Sequence, residues 1–287
     1  MRKLIVKFLG VCLNVTAPIV PKWNGKVAFK LLCRVRRVGI SARGKQFLAT
    51  ARSEYMDIDG APAVLHRWGK GSKSILFLHG WMSNSQRWQP YIDQVDLEEY
   101  TVYALDAPGH GMAKGNQLTI EMYRKAVVRT IENSGTIDAL VCHSLGSLVG
   151  AYAFLHNTSI PIKKYVIMGA PSGMDAIFAY FQELLGLSSA TISNLDRVVN
   201  RVLKVPHQEI TMGNFFTKVT HPVLVVHDKS DVITPHLPIA EALDLNAKVQ
   251  RYITNGLKHD LKSDAVFKTV LAFIMKDTNH GEERYSA

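Results

Sequence analysis

Cysteine is scarce, long apolar runs are absent, and the first fifty residues contain no acid. The three cysteines, Cys12, Cys33 and Cys142, are odd in number and fit no zinc spacing, so neither a disulfide framework nor a structural metal is expected. Reduced, mostly buried thiols suit a reducing compartment, which makes the cytoplasm the expected location. No stretch is apolar for long enough to span a bilayer. No P-loop, dinucleotide-binding glycine motif or zinc-ligand cluster occurs, and no cofactor is expected.

The missing acids locate the charge. All 24 Asp and Glu lie beyond residue 50, whereas eleven of the 34 Lys and Arg lie before it. The net charge of +10 therefore belongs to the N-terminal segment, and the rest of the chain is nearly balanced. A nucleic-acid groove would spread its Lys and Arg through the fold, so no nucleic-acid partner is expected.

Residues 1–50 read as a basic helical extension. Ile5, Phe8, Leu9 and Cys12 share one face of a first helix, with Lys3, Lys7 and Asn14 on a narrow opposite stripe. Pro18 and Pro21 break it. In a second helix Val27, Ala28, Leu31, Leu32 and Val35 oppose Lys22, Lys26, Lys30, Arg34 and Arg37. Gly39 to Gly44 reads as a linker. Two fates stay open for these helices. They pack their apolar faces on the following domain with the charges merely solvated, or residues 1–40 lie against an anionic membrane, at its inner face, with Trp23 at the polar–apolar border. A secretory signal fits less well, because Lys7 interrupts the apolar region and Ala17-Pro18 offers no A-x-A site.

From about residue 52 strands alternate with helices. Candidate strands are 52–58, 64–68, 74–78, 101–105, 137–142, 164–168, 223–227 and 249–253; helical windows are 86–94, 119–134, 145–155, 237–243 and 265–275. Continuous apolar runs such as Ile75-Leu76-Phe77-Leu78 and Val223-Leu224-Val225-Val226 suit strands covered on both faces. The fold expected over 51–287 is a doubly wound, mostly parallel, eight-stranded α/β sandwich. The interval between the sixth and seventh strands is too long for a connection and reads as a helical cap over about 172–217.

The strongest chemical signal is Leu140-Val141-Cys142-His143-Ser144-Leu145-Gly146, a strand running straight into a helix with Ser144 at the apex. This is the setting of the G-x-S-x-G nucleophile elbow, whose tight turn needs small residues two before and two after the serine. Gly146 meets that need, and Cys142 stands where the pattern has Gly. Taken alone, a serine there also fits an ordinary helix cap. Further along, Asp228 and Asp231 follow an apolar strand, and His259 follows the next one.

The surroundings resemble the α/β-hydrolase fold family over about residues 55–275. His79-Gly80-Trp81 is similar to its oxyanion loop, Asp106-Ala107-Pro108-Gly109-His110-Gly111 to its D-x-P-G-x-G turn, and Asp231-Val232-Ile233-Thr234-Pro235 to its D-x-x-x-P acid loop. The resemblance implies Ser144 as nucleophile, His259 as base and Asp231 as the acid that fixes the imidazole, with Asp228 capping the turn. It implies backbone N–H donors from Trp81 and Leu145 for the oxyanion. His143 is expected to serve packing and elbow geometry. A serine at the apex argues against halide displacement, for which this fold uses a carboxylate. The function expected is a serine hydrolase acting on a small-molecule ester or related acyl bond; thioester hydrolysis and acyl transfer use the same apparatus. Phe178, Tyr180, Phe181, Leu184 and Leu185 either line an acyl pocket or seal the cap on the sheet. The rival class is a non-catalytic binding module on the same fold, separable by fluorophosphonate labelling, which needs an activated serine.

Overall fold

The structure is a computed structural model that describes residues 2–276, with side chains from residue 5 onward. Lys3's place on the polar stripe and the end of the 51–287 domain lie outside the described residues. Eight strands form one sheet: β1 (Arg52–Ile58), β2 (Ala61–Trp68), β3 (Lys73–Leu78), β4 (Tyr100–Asp106), β5 (Ala139–His143), β6 (Tyr165–Met168), β7 (Val223–Asp228) and β8 (Gln250–Thr254). Their order is β1-β2-β4-β3-β5-β6-β7-β8. Only β2 runs antiparallel to its neighbours. β4, β5, β6 and β7 are buried along their whole length, as their apolar runs require when helices cover both faces. One face carries Leu76, Leu140 and Tyr165 against one apolar cluster; the other carries Phe77, Val141 and Val166 against a second.

The helices are α1 (Arg2–Thr16), α2 (Pro21–Leu32), α3 (Ala42–Leu48), α4 (Gln89–Ile92), α5 (Ile120–Ser134), α6 (Leu145–His156), α7 (Met174–Leu185), α8 (Ser189–Val202), α9 (Met212–Lys218), α10 (His236–Asp244) and α11 (Asp264–Met275). α7, α8 and α9 fill the interval between β6 and β7. Two local expectations need correction. The helix expected over 86–94 is a 3₁₀ turn at Ser85–Trp88 followed by the single turn of α4, because Asn84 first caps the turn by accepting the Gln86 N–H. The expected linker 39–44 runs into α3, which Ser41 caps by accepting the Gly44 N–H at 3.0 Å.

The N-terminal helices dock, α2 by the face its hydrophobicity suggests, with Ala28 buried and Val27, Leu31 and Leu32 packed on the core, and α1 by a different one. α1 packs on α7 and α8, and α2 packs on α8. A Cβ on Gly10 would stand 1.9 Å from the Leu185 carbonyl oxygen, and one on Gly25 would stand 2.3 Å from the Asn194 carbonyl oxygen. Only glycine permits backbones this close. Leu13, Ala17 and Ala28 are buried beside them. Lys7 Nζ donates to the Glu183 carbonyl at 3.0 Å and Asn14 Nδ2 to the Gly186 carbonyl at 2.8 Å, so part of the expected solvent stripe faces the inserted helices. Buried Asn24 and Asn194 interlock: Asn194 Nδ2 donates to Asn24 Oδ1 at 2.9 Å, and Asn24 Nδ2 to the Leu13 carbonyl at 2.7 Å. The expected apolar face of α1 is its outer one, with Ile5, Phe8, Leu9 and Cys12 exposed; Val11, Val15, Ile19 and Trp23 are exposed as well. Among the described residues no helix is long and apolar enough to cross a membrane.

Candidate active site

The C-terminal ends of β3, β5, β7 and β8 meet at one edge of the sheet, and their loops carry the site. β5 ends at His143, and α6 starts at Leu145, leaving Ser144 between them at φ 54°, ψ −121°. A non-glycine residue in this region stores roughly 1–3 kcal/mol, a strain that persists where the surroundings over-determine it and that clusters at functional sites. The over-determination is visible: the Ser144 N–H donates to the Met168 carbonyl at 2.8 Å, and the Ser147 N–H returns to the Ser144 carbonyl at 2.9 Å. A Cβ on Gly146 would lie 2.6 Å from the Leu78 carbonyl oxygen, so a larger residue would push the helix off β3.

The structure brings Ser144, His259 and Asp231 together. His259 Nε2 lies 2.9 Å from Ser144 Oγ, and His259 Nδ1 lies 2.8 Å from Asp231 Oδ2. A carboxylate can only accept, so Nδ1 carries the proton and Nε2 is the bare acceptor facing the hydroxyl. Asp231 Oδ1 accepts the N–H groups of Ile233 and Thr234 at 2.8 and 3.0 Å, and Oδ2 accepts the Thr234 hydroxyl at 2.7 Å. Burial would raise the Asp231 carboxyl, but these bonds and the one from His259 outweigh it and bring it down to about 2. Thr234 Oγ1 also lies 3.2 Å from His259 Nδ1 and is a site residue the sequence reading missed. Asp228, as expected, does not touch His259. Its Oδ1 accepts the Ser230 and Gly256 N–H groups and its Oδ2 the Leu257 N–H and the Thr254 hydroxyl, tying β7 to the loop that carries the histidine.

That loop is itself strained. Lys258 (φ 57°) and Leu261 (φ 53°) flank His259 in the left-handed region, and Leu261 is wholly buried. His143 adds a second anchor, since its Nε2–H donates to the His259 carbonyl at 2.8 Å. Burial holds the His143 ring neutral, well below its ordinary titration range.

Leu145 follows Ser144 directly, and Trp81 lines the same cleft as Ser144. Neither backbone N–H has an acceptor among the hydrogen bonds of the described residues. The orientation of the Trp81 N–H follows from His79. His79 Nε2 accepts the Ala107 N–H at 3.1 Å, so Nδ1 bears the proton and donates to the Gly80 carbonyl at 2.7 Å. In a trans peptide the C=O and N–H point opposite ways, so fixing the Gly80 carbonyl toward His79 turns the Trp81 N–H away from it. The next residue is held in the same manner: His110 Nδ1–H donates to the Pro108 carbonyl and Nε2 accepts the Met82 N–H at 3.2 Å. Asp106 lies beneath both loops, accepting from Ser85 and Met112 N–H at 2.8 Å each and from His66 Nε2 at 3.1 Å.

A sequence profile of the Alpha/beta hydrolase family matches residues 75–258. The chain belongs to the alpha/beta hydrolase family. Solved structures with the same fold include an esterase of Pyrococcus furiosus (TM-score 0.61, 19% identity, 84% of this chain and 98% of the esterase). A thioesterase domain from the curacin biosynthetic pathway is similar at TM-score 0.57 and 15% identity, over 79% of this chain and 99% of the domain. A curated relative is the dihydrolipoyllysine-residue acetyltransferase component of an acetoin cleaving system from Cupriavidus necator, 33% identical over 106 residues. That match takes in 36% of this chain, and the chain spans only 28% of the relative's length.

In this hydrolase a cleft of about 550 Å³ opens beside Ser144 and His259. Its walls come from the loop and turn over residues 80–87 and from α4, from the His259 loop, and from Val38, Ser41, Arg43 and Gly44 nearer the N-terminus. The expected pocket residues are elsewhere. Phe178 and Phe181 are buried in the apolar core, Leu184 is exposed, and none of the three lines the cleft. The apolar stripe of α7 seals against its neighbours, with Phe178 packed on the His207 ring at a centroid distance of 4.9 Å. Buried Cys142, two residues from the apex, is pushed well above the ordinary thiol range by burial, which keeps it protonated and inert. Among the described residues no group of three or more His, Cys, Asp or Glu side chains is placed to hold a metal ion.

Proposed function

We propose that this hydrolase cleaves a carboxylic ester or related acyl bond through an acyl-enzyme on Ser144. The observation that carries this reading is the continuous relay from Ser144 Oγ through His259 to Asp231, at 2.9 and 2.8 Å, with the serine on a left-handed elbow. Ser144 Oγ attacks the acyl carbon as His259 Nε2 takes its proton. Asp231 stays ionised and stabilises the imidazolium. The oxyanion accepts hydrogen bonds from the Trp81 and Leu145 N–H groups, each worth roughly 3–4 kcal/mol in such sites. His259 then protonates the leaving group, activates water on the opposite course, and the acid departs. The scheme uses no cofactor. The test is turnover of chromogenic acyl esters of graded chain length by wild type and Ser144→Ala. Related enzymes lose on the order of a million-fold when the nucleophile goes; normal turnover by a folded Ser144→Ala protein would sink the assignment.

Thioester hydrolysis and acyl transfer remain the second reading, favoured by the thioesterase domain and the acetyltransferase component among the similar proteins. Comparing an acyl thioester with the matching oxoester, with and without an alcohol acceptor, separates them. We read the chain as a basic extension (1–50) on a hydrolase domain (51–287) whose inserted helices form a cap at about 172–217. We also assign residues 1–40 a peripheral contact with an anionic membrane, from a cytoplasmic position. The outer face of α1 and the turn after it support this: Phe8 is 66% exposed and Ile19 71%, while Lys22, Lys26 and Lys30 are exposed nearby with no acid in the segment.

A further inference from the structure

We propose that the cleft beside Ser144 recognises a substrate bearing a carboxylate in addition to its scissile acyl bond, and that Arg87, Arg43 and Lys262 receive that carboxylate. The proposal rests on the hydrolase reading above and names its substrate class.

The lining of the cleft is rich in donors and short of acids. Its ionisable side chains, besides the two histidines, are Arg43, Arg87, Lys262 and a single carboxylate, Asp260. Asp260 is engaged by Lys262 at 3.7 Å. Arg43 and Arg87 have no carboxylate partner among the described residues. The Arg87 guanidinium is committed through one nitrogen only: Nη2 donates to the Asp260 carbonyl at 3.3 Å. That contact places it one residue from the base. The Trp88 ring, 5.1 Å away, steadies it from the side. Partial burial brings Arg87 down to about 10, so it stays charged at neutral pH.

A second observation is independent of charge. Asn84 is 1% exposed and lines the cleft. Its Oδ1 accepts the Gln86 N–H at 3.2 Å, which fixes the amide, and its Nδ2 has no acceptor. A buried donor left unpaired costs roughly 1–3 kcal/mol. A ligand oxygen in the cleft would supply what the protein does not. Arginine offers a planar fork matched to a carboxylate. Trp81 and Met82 give the acyl chain an apolar wall beside the nucleophile. A half-ester of a short dicarboxylic acid, or an ester of a carboxylated alcohol, combines these features.

The experiment uses matched pairs. On the acyl side, the 4-nitrophenyl half-ester of glutarate is compared with 4-nitrophenyl valerate. On the leaving-group side, 4-butanoyloxybenzoate is compared with its methyl ester. In one pair or the other, the anionic member should lead by about tenfold or more in kcat/KM at low salt, with the lead shrinking at about 0.5 M salt. The ratio should collapse towards unity in Arg87→Gln. It should also fall in the Arg43→Gln, Lys262→Gln double variant, whose substitutions lie at exposed positions and keep the test alive if the Arg87 variant misfolds. Calorimetry on Ser144→Ala reads the same preference as binding, without turnover. Neutral members that equal or outrun the anionic ones in both pairs, or that bind Ser144→Ala as well, would overturn the proposal. Absence of turnover by wild type with anionic binding intact would instead sink the hydrolase reading.

Discussion

At the scale of single residues, two aspartates three positions apart do different work. Asp231 meets His259 directly, whereas Asp228 holds the loop that delivers it. Asp231→Asn leaves the shape but offers an amide where Nδ1–H needs a carboxylate, and comparable changes lower kcat by about ten-thousandfold. Asp228→Asn loses part of a four-bond anchor and should cost far less in kcat, with its main effect on stability. Steady-state kinetics on both variants check this; the reverse ranking would move the acid to Asp228. The triad positions were legible because each sits where a strand ends and a loop begins. Thr234 and His143 were harder to see. Thr234 is a turn residue in sequence and becomes a partner of Asp231 only through the fold. His143 is expected from the sequence to serve packing and elbow geometry, but its bond to the His259 carbonyl spans 116 positions.

At the scale of elements, the eight strands, most helices and the docked face of α2 follow from runs of apolar residues and their period, whereas the docking of α1 does not. α1 and α2 approach the inserted helices most closely at Gly10 and Gly25, residues that carry no hydrophobic signal, with Leu13, Ala17 and Ala28 buried beside them. In α1 close backbone approach decided the face, and the larger apolar side chains Ile5, Phe8 and Leu9 were left outward. The same limit left Phe178 and Phe181 between two fates: an apolar stripe says that a helix is covered, but not whether by substrate or by protein. The outward face of α1 has a measurable consequence. Full-length protein should co-sediment with anionic liposomes, bind less as salt rises, and weaken further in Phe8→Asp, Ile19→Asp, since each basic residue near such a surface contributes roughly 1 kcal/mol and the apolar side chains add their burial. Protein that stays in the supernatant at low salt would leave that face without a membrane role.

At the scale of the whole molecule, buried neutral histidines link the site to acid stability. Burial lowers His79, His143 and His227 below their ordinary value of 6.5, and brings His110 to about 3. The unfolded chain therefore binds more protons than the native state below about pH 6.5, so stability rises with pH in that range. Asp231, lowered from 3.8 to about 2, acts in the same direction further down, contributing stability above 3.8 that is lost as pH falls through 2. The urea midpoint should drop steadily from pH 7 to pH 4 and again below it; a flat profile over pH 4–7 would mean that these rings are protonated in the folded protein. The central claim concerns one oxygen atom, and a covalent probe addresses it most directly. Wild-type protein treated with a fluorophosphonate and digested should carry the adduct on the peptide containing Ser144, with no labelling in Ser144→Ala and sharply slowed labelling in His259→Ala. An adduct on another residue, or labelling that survives Ser144→Ala, would contradict the account.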